Sequence, residues 1–234
     1  MITVASVEGS SNALGSTINL TVALENQTAD VKSLSRQDIV LTVGTQSFLS
    51  GLAQTPTVPS MSRNDAVLDF FVDDEFVLDD AVLTFGQPDA NQSVVPLGDD
   101  PAISSEPKQL DMDATLTTPL LTIQLTGGTL EPSYASGQKG TFIVRVPLRA
   151  TFKGEGPGGD LMLPDQFALR SPSGSSVIAS PVAPGDLAAE ALYPGVELVG
   201  AQIAFLINGS EAGTWTITYT DNADATASAD FSVD

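Results

Sequence analysis

Apolar and polar positions alternate strictly between Ala201 and Tyr219. Ile203, Phe205 and Ile207 share one face of the first run, and Trp215, Ile217 and Tyr219 share one face of the second. Thr214, Thr216, Thr218 and Thr220 fill the reverse side. Successive side chains of a strand point to opposite sides of a sheet, so this pattern predicts two strands. Asn208, Gly209 and Gly213 between them predict a hairpin turn, since glycine adopts positive φ freely and asparagine tolerates it. Trp215, the sole tryptophan, is the expected core anchor of the second half.

The same periodicity runs through the whole chain. Strands are predicted at Ile2 to Val7, Thr17 to Leu24, Asp38 to Val43, Ser47 to Leu52 and Ser93 to Leu97, with one helical turn inside Asp30 to Asp38. Gln54 to Asn64 reads as a loop. Ala66 to Val72 and Ala81 to Phe85 predict a second hairpin around the acidic tip DDEFVLDD. Further strands are expected at Leu120 to Leu125, Thr141 to Phe152, Phe167 to Arg170, Ser176 to Ser180 and Ala225 to Val233. Pro147 has no N–H to donate, which places it at an edge or a bulge. Asp186 to Leu192 predicts a short helix capped by Asp186 and stopped before Pro194.

Short strands with frequent turn signals predict an all-β fold. Gly98 to Lys108 is polar, carries two prolines and has no apolar period, so it reads as a linker. The boundaries that follow are a first domain over 1–98, a linker over 99–107 and a second domain over 108–234. Similar segments recur in the same order on both sides of that linker. INLTVAL from Ile18 parallels FIVRVPL from Phe142, and DIVL from Asp38 parallels QFAL from Gln166. AVLDFFV followed by AVLTF parallels AQIAFLI followed by WTITY. One unit used twice is the reading of this order. The expected class is all-β, two tandem immunoglobulin-like β-sandwiches.

Composition narrows the partners. The chain has 234 residues, 42% of them hydrophobic, so a substantial core can form. Asp and Glu number 29 against 9 Lys and Arg, a net charge of -20. That balance disfavours nucleic acid and anionic lipid, and favours cations or basic protein partners. There is no Cys and no His, which removes disulfides, thiol nucleophiles, Ser-His-Asp triads and the usual zinc ligand sets. No apolar run is long enough to span a bilayer as a helix, so membrane insertion is not expected. Strand-like sequence begins at Ile2. The expectation is that a targeting or anchor segment has been removed ahead of it, with a cytosolic start as the alternative.

INLTVALEN, DQFALRSPSG, the Pro-Gly step and the pair GAQIAFLI…GTWTITY resemble bacterial secreted Ig-like domains. These are of the kind grouped with a small immunoprotective extracellular antigen and with a domain family of unknown function. The resemblance implies an extracellular β-sandwich, often held at the cell surface. It carries no catalytic residues to transfer.

The most site-like stretch is the acidic tip. Asp73, Asp74, Glu75, Asp79 and Asp80 are the candidate metal ligands, because Ca²⁺ takes six to eight oxygens and clustered carboxylates supply them. Their spacing lacks the alternation and central glycine of an EF-hand loop. Phe76, Val77 and Leu78 suggest either a tip folded back on the sandwich or an exposed contact patch, and the expectation is the folded-back tip without tight Ca²⁺ binding. Asp221, Asn222 and Asp224 form a smaller cluster read as turn formers. The Ser-x-x-Lys matches at Ser105 and Ser136 lie in a linker and a Gly-rich turn, without the companion motifs of that chemistry. A carboxylate-dependent hydrolase is disfavoured by the scarcity of Trp and Tyr. No cofactor is expected. The function expected is a non-catalytic extracellular or surface module presenting loops or edges to a protein partner. A structural subunit associating through sheet edges is the alternative.

Overall fold

A computed structural model describes residues 2–12, 15–26, 31–51, 56–59, 62–72, 77–98, 107–135, 137–155, 159–182 and 185–233. The chain divides into two compact units. The first comprises Met1–Glu106 with Tyr134–Lys139, and the second Pro107–Ser133 with Gly140–Asp234. Most of the predicted linker, 99–106, lies outside the described residues.

The first unit contains β1 (Ile2–Asn12), β2 (Gly15–Asn26), β3 (Lys32–Ser33), β4 (Ile39–Val43), β5 (Gln46–Leu49), β6 (Thr57–Val58), β7 (Ser62–Val72), β8 (Ala81–Phe85) and β9 (Ser93–Pro96). One antiparallel sheet runs β1-β2-β7, a second runs β5-β4-β8-β9, and β3 pairs with β6. Alternation decides which face is buried. Ile18 lies opposite Phe70 and Leu20 opposite Leu68 on the first sheet. Ile39 lies opposite Phe85 and Leu41 opposite Leu83 on the second. All eight join one buried cluster, so the two sheets face each other across a shared core. Each such side chain contributes roughly 1.5–3 kcal/mol relative to an exposed one. A 3-10 turn over Arg36–Asp38, capped by Ser35, supplies the expected helical turn.

Two expectations fail here. The segment from Gln54 to Asn64 is not all loop, since it holds β6 and the start of β7. More importantly, β7 and β8 are not a hairpin. β7 pairs with β2, whereas β8 pairs with β4 and β9. The chain between them passes from one sheet to the other. A hairpin would place the apolar faces of both strands side by side, whereas here Phe70 and Phe85 approach the core from opposite sheets.

The second unit contains β10 (Lys108–Gln109), β11 (Asp113–Thr117), β12 (Leu121–Thr126), β13 (Thr129–Pro132), β14 (Thr141–Phe152), β15 (Asp160–Met162), β16 (Phe167–Arg170), β17 (Ser176–Ile178), β18 (Glu190–Leu192), β19 (Glu197–Asn208), β20 (Gly213–Thr220) and β21 (Thr226–Val233). Six strands form a sheet ordered β10-β13-β14-β12-β11, with β19 also on β14. The facing sheet runs β17-β16-β20-β21, and β15 pairs with β18. Val144, Val146, Ile203 and Phe205 meet Phe167, Trp215, Ile217 and Tyr219 in one core. The hairpin predicted from Ala201 to Tyr219 is likewise overturned: β19 pairs with β14, and β20 with β16 and β21.

Pro147 sits in a central strand rather than at an edge. One side of β14 is shared by β13, which reaches Arg145, and β12, which begins at Leu148, so the ladder on that side is interrupted at Pro147. A residue without an N–H is tolerated at such a break. Gly128 makes the junction possible, because a Cβ there would stand 2.9 Å from the Arg145 carbonyl oxygen.

The predicted helix from Asp186 to Leu192 does not form. Asp186 makes a parallel bridge to Gln202, and Glu190–Leu192 is β18. The Asp186 carboxylate is drawn inward instead of capping a helix. It accepts from the Val182 amide at 2.9 Å and from Gln202 Nε2 at 2.9 Å, and pairs with Arg145 at 3.4 Å. These tertiary contacts outweigh the local helix preference of an Ala-rich segment.

The same pairing order appears in both units. β2-β7 corresponds to β14-β19, β5-β4-β8-β9 to β17-β16-β20-β21, and β3-β6 to β15-β18. A 3-10 turn precedes the second sheet in each, at Arg36–Asp38 and at Pro164–Gln166. With AVLDFFV laid on AQIAFLI, Leu68 matches Ile203 and Phe70 matches Phe205. Their partners then place Ile18 on Val144 rather than on Phe142. The difference from the sequence alignment is two residues, which leaves every side chain on its own face.

Candidate functional site

The acidic tip of the first unit is only partly within view. Asp73, Asp74 and Glu75 lie outside the described residues, as does Phe76. Asp79 and Asp80 belong to a 3-10 turn over Leu78–Asp80, and both are exposed. They border an open groove of about 720 Å³ that Val43, Gly44, Gln46, Val77 and Pro96 also line. Among the described residues no three His, Cys, Asp or Glu side chains are grouped so as to hold a metal ion.

Buried polar chemistry concentrates in the second unit. The first concentration is an ion cluster on the sheet face away from the core. Arg145 on β14 pairs with Glu131 on β13 and with Asp186, whose side chain is fully buried. Paired charges at this depth are held by several hydrogen bonds at once, which fixes geometry more than it adds stability. The partners identified for Asp186 mark this as structure rather than as an open site.

The second concentration lies where β20 ends. Tyr219 is fully buried and packs against Phe167 with the rings tilted by 44° and their centroids 4.8 Å apart. Its hydroxyl has no hydrogen-bond partner. Burial first, then the charges of Asp160 and Asp221, push its phenol far above the ordinary value of 10.0. Asp221 follows on the turn to β21. Its Oδ1 accepts from the amides of Ala223 and Ala225, both at 2.9 Å, and Asp224 adopts φ 61° to close the loop. This is the turn-forming role that the sequence suggests. Its Oδ2, however, is buried without a hydrogen bond of standard geometry, and the residue is only 3% exposed. Desolvation opposes ionisation of Asp221. The Thr118 hydroxyl and the amides of Ala225, Ala223 and Leu120 outweigh it and hold the carboxyl below the ordinary range.

Asp160, the first residue of β15, completes the cluster. Its Oδ1 accepts from the Leu161 amide and from Asn222 Nδ2, whereas its Oδ2 is buried with no partner. Asn222 also donates to the Leu161 carbonyl and accepts from Gln166 Nε2, so the turn is tied to β15 and to the 3-10 turn before β16. Sequence reasoning missed Asp160 and Tyr219. Asp160 reads as the end of a Gly-rich loop, and Tyr219 as one more apolar position in an alternating strand. The proximity of the two exists only after β15 and β20 are brought together.

No protein-family model and no curated protein matches this chain.

Proposed function

We propose that the protein is a non-catalytic binding module of the cell surface or extracellular space, built as two tandem Ig-like β-sandwiches. The pairing order common to both units carries this reading. With its strands lettered A, B, C, C′, E, F and G, the first unit reads A-B-E on one sheet and C′-C-F-G on the other. That division of strands, with chain crossings between B and C, between C′ and E and between E and F, supports a sandwich arrangement of the Ig kind. Such scaffolds leave loops at two ends, where recognition is placed without disturbing the core. With a net charge of -20, the partner is a protein with a basic surface, and its association weakens as salt rises.

Protease treatment of intact cells tests the location, since a surface module is cut while cytosolic proteins survive. Full protection on intact cells would refute it. Self-association through edges is the second reading, favoured by β1 and β21, each paired on one side only among the described residues. Light scattering over a concentration series separates the two. A monomer throughout supports the module, and a mass that climbs with concentration supports the structural subunit.

A further inference from the structure

We propose that the second unit binds a hard divalent cation, Ca²⁺, between Asp160, Tyr219 and Asp221. Three oxygens there are buried without a hydrogen bond of standard geometry: Asp160 Oδ2, the Tyr219 hydroxyl and Asp221 Oδ2, the last with the Thr118 hydroxyl and the Leu120 amide close enough to favour its charge. Leaving even one such group unsatisfied is costly, and native proteins place a partner, a water or an ion at these points. Most of the neighbouring donors are already engaged elsewhere. Asn222 Nδ2 serves Asp160 Oδ1 and the Leu161 carbonyl, and the Ala223 and Ala225 amides serve Asp221 Oδ1. The Lys153 ammonium gives one of its three N–H donors to the Thr118 carbonyl. The unpartnered atoms of the cluster are therefore two carboxylate oxygens and a neutral phenol oxygen, with no nitrogen or sulfur among them.

An all-oxygen, twice-anionic set selects a hard cation over zinc or copper. A single water would meet the hydrogen-bond count but would bring no positive charge to the two carboxylates. Three protein oxygens are fewer than the six to eight that Ca²⁺ takes, so water completes the shell. Asp160 is only half-buried and Asn222 is exposed, which opens that route to solvent. Few protein ligands imply weak binding, on the order of 10⁻⁴–10⁻³ M, as in extracellular modules. The first unit is a built-in control, because Phe85 takes the strand position of Tyr219 and offers no hydroxyl. The proposal does not depend on the partner or the location proposed above.

The test uses the full chain, with thermal unfolding followed by Trp215 emission in millimolar Ca²⁺ and in excess chelator. Binding raises the midpoint by several degrees. Tb³⁺ is the second probe: its luminescence should appear on excitation of Tyr219. Both responses should vanish in Asp160→Asn and in Tyr219→Phe, and both should survive in Asp79→Asn with Asp80→Asn. If Asp160→Asn fails to fold, Tyr219→Phe decides alone, since it keeps the ring that packs on Phe167. No response to either ion would leave a buried water as the occupant and overturn the proposal. So would a response that survives Tyr219→Phe but is lost in the Asp79 and Asp80 variant.

Discussion

Phe85 and Tyr219 occupy the same place in the two units. Phe85 lies opposite Ile39 on β4, and Tyr219 lies opposite Phe167 on β16. Both rings are buried, and in each unit the residue opposite the ring is the first after a 3-10 turn. Around Phe85 the core is apolar, with one buried free oxygen on Asp38. Around Tyr219 stand Asp160, Asp221, Asn222 and Gln166. One oxygen atom on an equivalent ring thus accompanies a change from a plain corner to a polar one. The strand framework tolerates either, because the pairing depends on backbone and on which face is apolar. What a corner does chemically depends on a few side chains brought from distant loops.

The largest effect expected on this comparison comes from Trp215, which matches Ala81 of the first unit and is 3% exposed. Its indole donates to the Glu211 carbonyl at 2.9 Å. Trp215→Ala should cost about 3–5 kcal/mol. Calorimetry should show one transition lowered and the other unmoved, and the native wild-type emission should be blue-shifted. A single transition that shifts as a whole would break the division into independent units.

A smaller effect is expected from Phe85→Tyr, which gives the first unit the hydroxyl of the second. A buried hydroxyl without a partner costs about 1–3 kcal/mol, read as a lower denaturant midpoint. A neutral result would sharpen the comparison differently. It would mean that the free oxygen of Asp38 accepts the new hydroxyl and that the two corners are interchangeable.

The smallest effects are in pH dependence. The folded Asp221 carboxyl titrates below its ordinary value of 3.8. Its stabilisation is therefore present above that value and is lost as pH falls through it toward the folded pKa. Asp221→Asn keeps an acceptor for Ala223 and Ala225, so melting of the second unit should become less acid-sensitive. Tyr219 has the opposite sign. Its folded pKa is raised, so stability is whole below 10.0 and declines as pH rises beyond it. Tyr219→Phe should remove that alkaline loss. Equal acid and alkaline slopes in wild type and variants would show that neither group is linked to folding.

Strand positions were the most legible feature. Alternation placed β2, β4, β8, β14, β16 and β20 closely, because burial of one sheet face imposes a period of two on the residues. The order of similar segments also exposed the repeat. Pairing was not legible: in both units a strand pair adjacent in sequence was read as a hairpin and instead joins two sheets. Alternation says which face is buried, but the same apolar face suits a neighbour beside it or a sheet across the core.

The candidate site shows the same division. Ala223, Asp224 and Ala225 beside Asp221 announce a turn, since a carboxylate that caps its own backbone is a local feature. The orphaned oxygens are not local. Asp160 and Asp221 are 61 residues apart in the chain and approach only through the packing of β15 on the end of β20. Likewise, Tyr134–Lys139 belongs to the first unit although it follows 107–133 of the second. Within it, the Gly137 amide donates to Asp89 Oδ2 at 3.0 Å and the Gln138 carbonyl accepts from Asn91 at 3.3 Å. By itself the sequence determined the all-β class, the strand faces and the repetition, because these follow from side-chain period and local turn chemistry. Only the tertiary structure decided which strands pair, which unit claims a distant loop and which polar groups are left facing one another, because those follow from how whole faces close over a core.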